Sequence, residues 1–101
     1  MSFDQAPEVL GPVRYGEERW FAFDFSSETE NSIVSAVFEA GVKIGIDMSA
    51  SGVISGDPIY DGPLVKQFFK NFKRGVTYLI KVTARDAIGQ VLPRVIQVTC
   101  V

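Results

Sequence analysis

The sequence predicts an all-β protein, two antiparallel sheets packed face to face, and three observations carry that prediction. First, Tyr78, Ile80, Val82 and Ala84 alternate with Leu79, Lys81, Thr83 and Arg85. This period of two fits a half-buried strand and cannot form one face of a helix. Second, after a polar turn containing Gly89, the residues Ile96, Val98 and Cys100 repeat the pattern, which completes a closing hairpin. Third, six or seven short apolar runs are separated by turn residues, with no long helix-periodic segment and no repeat at a fixed period. Together these describe an immunoglobulin-like, fibronectin III-like antiparallel sandwich of about seven strands.

Residues 1–17 contain Pro7, Gly11, Pro12 and Gly16 among scattered apolar positions. They read as an N-terminal arm with an edge strand at residues 8–13, the segment least anchored by its own domain. Residues 18–101 form the domain proper. Residues 19–25 place Phe21, Phe23 and Phe25 on one face, taken as core, and Trp20, Ala22 and Asp24 on the other. A polar loop spans residues 26–32. Residues 33–39 form a strand with Ala36 and Phe38 inward. Gly41 marks a turn, after which Val42, Ile44, Ile46 and Met48 give the cleanest alternation in the chain and are expected to face inward. A slip of one residue there would expose all four.

Residues 49–63 are dominated by Ser, Gly, Asp and Pro and read as turns with at most short strands. Residues 64–72 form a further strand, with Val65, Gln67 and Phe69 on one side. A short helix competes, since Leu64, Phe68 and Phe72 also fall at helical spacing. Gly75-x-x-Tyr78 looks like a tyrosine corner, in which a buried ring's hydroxyl bonds back to nearby backbone. An ordinary strand tyrosine is the alternative. Pro93 puts the first part of the last strand at a sheet edge or beside a bulge.

The chain has 101 residues, enough for one core. A hydrophobic share of 47% against 22% charged residues makes it globular rather than disordered. The net charge of −2, with acids and bases mixed, favours neither nucleic acid nor membrane as a partner. Cys100 is the only cysteine, so packing rather than a disulfide must stabilise the sandwich, as suits a reducing cytoplasm. It is expected to be an inward strand residue. The first residues lack the pattern of a signal peptide, so a soluble protein without its own export address is expected.

There is no histidine, which removes the Ser-His-Asp and Cys-His arrangements and every zinc site that needs imidazole. The glycines fit neither nucleotide-binding fingerprint. Asp57 and Asp61 could supply oxygens to a calcium ion or act as an acid and base pair, but Asp beside Gly and Pro is ordinary turn vocabulary. Lys66, Lys70, Lys73 and Arg74 interleaved with Phe68, Phe69 and Phe72 have the mixture of a single-strand nucleic-acid platform. Core phenylalanines alternating with solvated lysines explain the pattern equally well, and a basic patch docking on an acidic protein surface is the preferred functional version. No catalytic residue, metal or cofactor is expected, and the chain is read as non-enzymatic.

The pattern resembles small tailed-bacteriophage virion proteins with an immunoglobulin-like sandwich, encoded among head and tail morphogenesis proteins. The likeness runs through Asp24-Phe25-Ser26, Ile33-x-Ser35-Ala36-x-Phe38 with Gly41, Gly75-x-x-Tyr78-x-x-x-Val82-x-Ala84-x-Asp86-x-x-Gly89, and Arg94-x-Ile96-x-Val98. Similar proteins tend to carry Trp where Phe25 and Phe38 stand, and a glycine-rich turn in place of residues 71–74. The resemblance implies a non-enzymatic virion structural protein, made in the host cytoplasm, that docks on phage capsid or tail proteins as a decoration protein or an adaptor. Self-association into a homo-oligomer is compatible with that role. The residues expected to dock are Phe3, Val9, Leu10 and Tyr15 on the arm, then Lys70, Lys73 and Arg74 at one end, and Trp20, expected to be partly exposed. A glycan- or cell-binding adhesin module of a larger surface protein is the alternative, with aromatic and polar residues clustered in loops such as residues 57–61.

Overall fold

Alternation along the strands decides which side chains close the core. The computed structural model describes residues 8–101. Seven strands follow in chain order: β1 (Glu8–Val9), β2 (Arg19–Asp24), β3 (Ile33–Ile44), β4 (Ile54–Asp61), β5 (Leu64–Phe69), β6 (Thr77–Asp86) and β7 (Val91–Thr99), with a 3₁₀ turn at Ala50–Val53. They form a four-stranded sheet in the order β1-β7-β6-β3 and a three-stranded sheet in the order β2-β5-β4. This arrangement is consistent with an immunoglobulin-like sandwich.

Phe21, Phe23 and Phe25 from one sheet meet Tyr78, Ile80, Val82, Ile96 and Val98 from the other, all buried. Phe69 is the hub, with its ring 4.9 Å from Phe21, 6.2 Å from Phe38 and 6.4 Å from Phe72. Such offset and edge contacts contribute beyond area burial. Cys100 is a buried free thiol, and burial pushes its pKa up. β5 is a strand rather than a helix, with Val65, Gln67 and Phe69 inward. Pro93 lies on β7 opposite Thr83, outside the two positions where β1 covers β7, so this stretch is a described edge.

Five expectations are corrected. β1 pairs with β7 in parallel, Glu8 opposite Ile96, unlike the antiparallel pairs of the other strands. The chain must reach the end of the sandwich where β2 begins, and that is also where β7 finishes, so β1 and β7 run the same way. The edge strand falls within the expected arm, yet Val13 is buried and bridges Cys100, and Leu10 packs against the core. The segment is therefore tied down by its own domain from residue 8 onward.

Gly41 is no turn. It sits inside β3 opposite Leu79, because β3 continues to cover the inward row of β6. The chain turns at Gly45 instead, where φ is +94° and a side-chain Cβ would sit 3.2 Å from the Gly75 carbonyl oxygen. An irregularity between Val42 and Ile44 then breaks the expected alternation. Of the four apolar residues, Val42 alone packs against the core, and Ile44, Ile46 and Met48 are exposed. Lastly, residues 54–61 form an eight-residue edge strand. Its ladder is interrupted between Ser55 and Ile59, which accommodates Pro58, and the buried Gln67 amide donates to the Ser55 and Gly56 carbonyls at 2.9 and 3.1 Å.

Candidate docking surfaces

One end of the sandwich is organised by Tyr78. Its ring is buried, its hydroxyl accepts the Lys73 backbone N–H at 2.8 Å and donates to Asp47 Oδ2 at 2.6 Å. The bond back to backbone five residues upstream is the tyrosine-corner geometry. Asp47 also accepts the Ser49 N–H at 2.9 Å and faces the Lys73 ammonium at 3.5 Å. The Tyr78 hydrogen bond, helped by Ser49 and Lys73, holds the Asp47 carboxyl below its ordinary value. Burial, reinforced by the Asp47 carboxylate, pushes the Tyr78 hydroxyl up to about 12. With Asp47 fixed inward, its neighbours are left facing solvent, Ile46 at 80% exposed and Met48 at 92%. Beside them the Arg74 guanidinium lies 4.9 Å from the Tyr15 ring centroid.

A second surface is the outer face of the three-stranded sheet. Register places Trp20 opposite Phe68, and Ala22, Lys66 and Ile59 in one cross-strand row. Trp20 meets Phe68 edge-on at 5.3 Å. Trp20 and Ile59 are each about half exposed. A groove of about 420 Å³ runs between Trp20, Ala22, Ile59 and Lys66. On the other side of Trp20 a groove of about 530 Å³ separates β2 from Leu10, Gly11 and Pro12. The indole thus stands as a ridge between two hollows.

The opposite end is held by Asp86. Burial opposes its charge, but hydrogen bonds from the Thr29 hydroxyl (2.8 Å) and the Gln90 and Ile88 N–H groups outweigh this and hold the carboxyl below its ordinary value. Arg94 spans the same end, 2.6 Å from Glu28 and 4.4 Å from the Phe25 ring centroid.

The expected docking residues are distributed over three places. Tyr15, Lys73 and Arg74 meet at the Tyr78 end, and Lys70, whose N–H bonds the Val53 carbonyl, lies at that end beyond β5. Leu10 and Trp20 face one groove, whereas Val9 is exposed on β1 and Phe3 lies outside the described residues. Phe69 and Phe72 are core, so a row of stacking aromatics interleaved with the lysines does not form. Asp57 and Asp61 both lie on β4, and residues four apart along a strand are separated by about 13 Å, too far to share an ion. Among the described residues no group of three or more His, Cys, Asp or Glu converges as a metal site. Sequence reasoning missed Ile44, Ile46, Met48 and Ile59 as exposed residues. No local signal marks Ile44, Ile46 and Met48 as exposed, because Asp47 falls in the polar row of the alternation and turns inward only through its bond to Tyr78. No protein-family model, curated protein or solved structure matches the chain.

Proposed function

We propose that the protein is a non-enzymatic structural component of a tailed-phage virion that docks on a capsid or tail subunit through the outer face of its three-stranded sheet. One observation carries this reading: Trp20, braced by Phe68 and flanked by Ile59, makes an apolar ridge on a sheet face that alternation would normally leave polar. Contiguous exposed apolar surface marks contact sites, and a centrally placed tryptophan is a common energetic anchor. The adjoining grooves give a partner's side chains somewhere to sit. The sequence resemblance supplies the class of partner, and repetition around a symmetric particle would multiply a modest single contact.

Mass spectrometry of intact particles from the phage that encodes the chain tests this reading. The protein is expected in stoichiometric amounts, and Trp20→Ala is expected to weaken its incorporation more than about tenfold. Absence of the wild-type protein from particles would reject the proposal. Binding of the isolated protein to glycans with the same Trp20 dependence would replace it with the adhesin reading.

A further inference from the structure

We infer that a second copy of this chain docks head to tail, the Tyr78 end of one molecule against the Asp86 end of the next. The inference does not depend on the virion assignment. Near neutrality overall conceals an opposed distribution of charge along the strands. Strand registers place Arg14, Arg19, Lys43, Lys70, Lys73 and Arg74 toward the Tyr78 end, where, among the described residues, Glu17, Glu18 and the inward Asp47 are the acids. Toward the other end lie Asp24, Glu28, Glu30, Asp61 and Asp86, countered by Arg85 and Arg94. Opposed charges of this kind steer association and fix register more than they add affinity.

Each end also carries exposed apolar side chains within its field of charge. Ile46 and Met48 project at the basic end, and Ile88, 67% exposed in the turn ordered by Asp86, projects at the acidic end. Neither loop needs to become ordered on binding, since Asp47 is tied to Tyr78 and Asp86 is tied to Thr29 and two backbone N–H groups. Preorganised loops lower the entropic cost of docking. Because the two ends differ, the contact is heterologous and can propagate into a row or close into a ring.

Sedimentation velocity of the purified full chain tests this inference. At an ionic strength of about 0.02 M the mean mass is expected to rise with protein concentration, and to return to the monomer value at about 0.5 M, where exposed charges are screened. Two charge-reversed proteins make the test specific. K70E/R74E has two acidic ends and E30K/D61K has two basic ends, so each alone is expected to remain monomeric. An equimolar mixture is expected to associate, because the unaltered acidic end of the first meets the unaltered basic end of the second. Ile46→Ser with Met48→Ser is expected to weaken self-association about tenfold or more without reversing any charge. A wild-type protein that stays monomeric at low salt, reversed proteins that associate as the wild type does, or an inert mixture of folded variants would each overturn the inference.

Discussion

The hydroxyl of Tyr78 and the carboxylate of Asp47 are each buried, and each removes the other's hydrogen-bond deficit. Tyr78→Phe leaves Asp47 and the Lys73 N–H short of a partner and is expected to cost about 1–3 kcal/mol in urea unfolding. The same pair predicts two limbs of pH dependence. Tyr78 keeps its proton up to about 12 in the folded protein, whereas its ordinary value is 10.0. Its contribution is therefore complete below pH 10 and is lost as pH rises toward about 12, a loss that Tyr78→Phe is expected to remove. Asp47 and Asp86 shift the other way, below 3.8. Their contribution is present above that value and is lost as pH falls through their lowered folded values, so thermal unfolding at constant ionic strength should show an acid decline. Ile46→Ser and Met48→Ser are each expected to change stability by less than about 0.5 kcal/mol. Phe69→Ala, at the core's hub, is expected to cost about 3–5 kcal/mol.

At the scale of elements, β2, β5, β6 and β7 were legible because each has one apolar face and a neighbour on at least one side to fix its register. β6 reads cleanly since Tyr78, Ile80, Val82 and Ala84 all face the opposing sheet. The misread elements lie where a local pattern yields to a long-range polar contact. Asp47 turns inward to reach Tyr78, thirty-one residues away in sequence, and that contact turns an apparent core row into an exposed tip. Gly41 and Gly45 offer the same turn signal, and the choice between them is made by how far β3 must extend along β6 and by the close approach of Gly75 at position 45. β4 was hidden because Gly56 and Pro58 are turn residues, and a strand survives them at an edge when Gln67 bonds the carbonyls of the interruption. Gln67→Leu is therefore expected to cost about 1–3 kcal/mol and to raise hydrogen exchange at Ile59, where pairing resumes, more than at Tyr78.

For the whole molecule, one core of facing phenylalanines and aliphatics leaves three outward features: the Trp20 ridge, the basic end with Ile46 and Met48, and the acidic end with Ile88. Only part of this surface could be read from sequence. Trp20 was legible because it alternates with three phenylalanines, but its bracing by Phe68 and Ile59 requires the registers of β2, β4 and β5. The polarity of charge was hidden for a similar reason, since residues as distant as Arg14, Lys43 and Arg74 meet at one end only after folding. The ridge faces outward from the three-stranded sheet, whereas Ile46 and Met48 project beyond the end of β3 in the other sheet. Ile46→Ser with Met48→Ser is accordingly expected to weaken self-association while leaving Trp20-dependent docking within about twofold, as competition binding would measure.

The protein contains one tryptophan, so its fluorescence reports the ridge directly. The decisive measurement is iodide quenching of Trp20 in the folded protein, alone and after addition of particles assembled without it. An outward Trp20 ridge gives ready quenching in the free protein, followed by protection and a blue shift on the particles. Quenching resistance in the free protein, or bound protein whose Trp20 stays fully accessible, would contradict it.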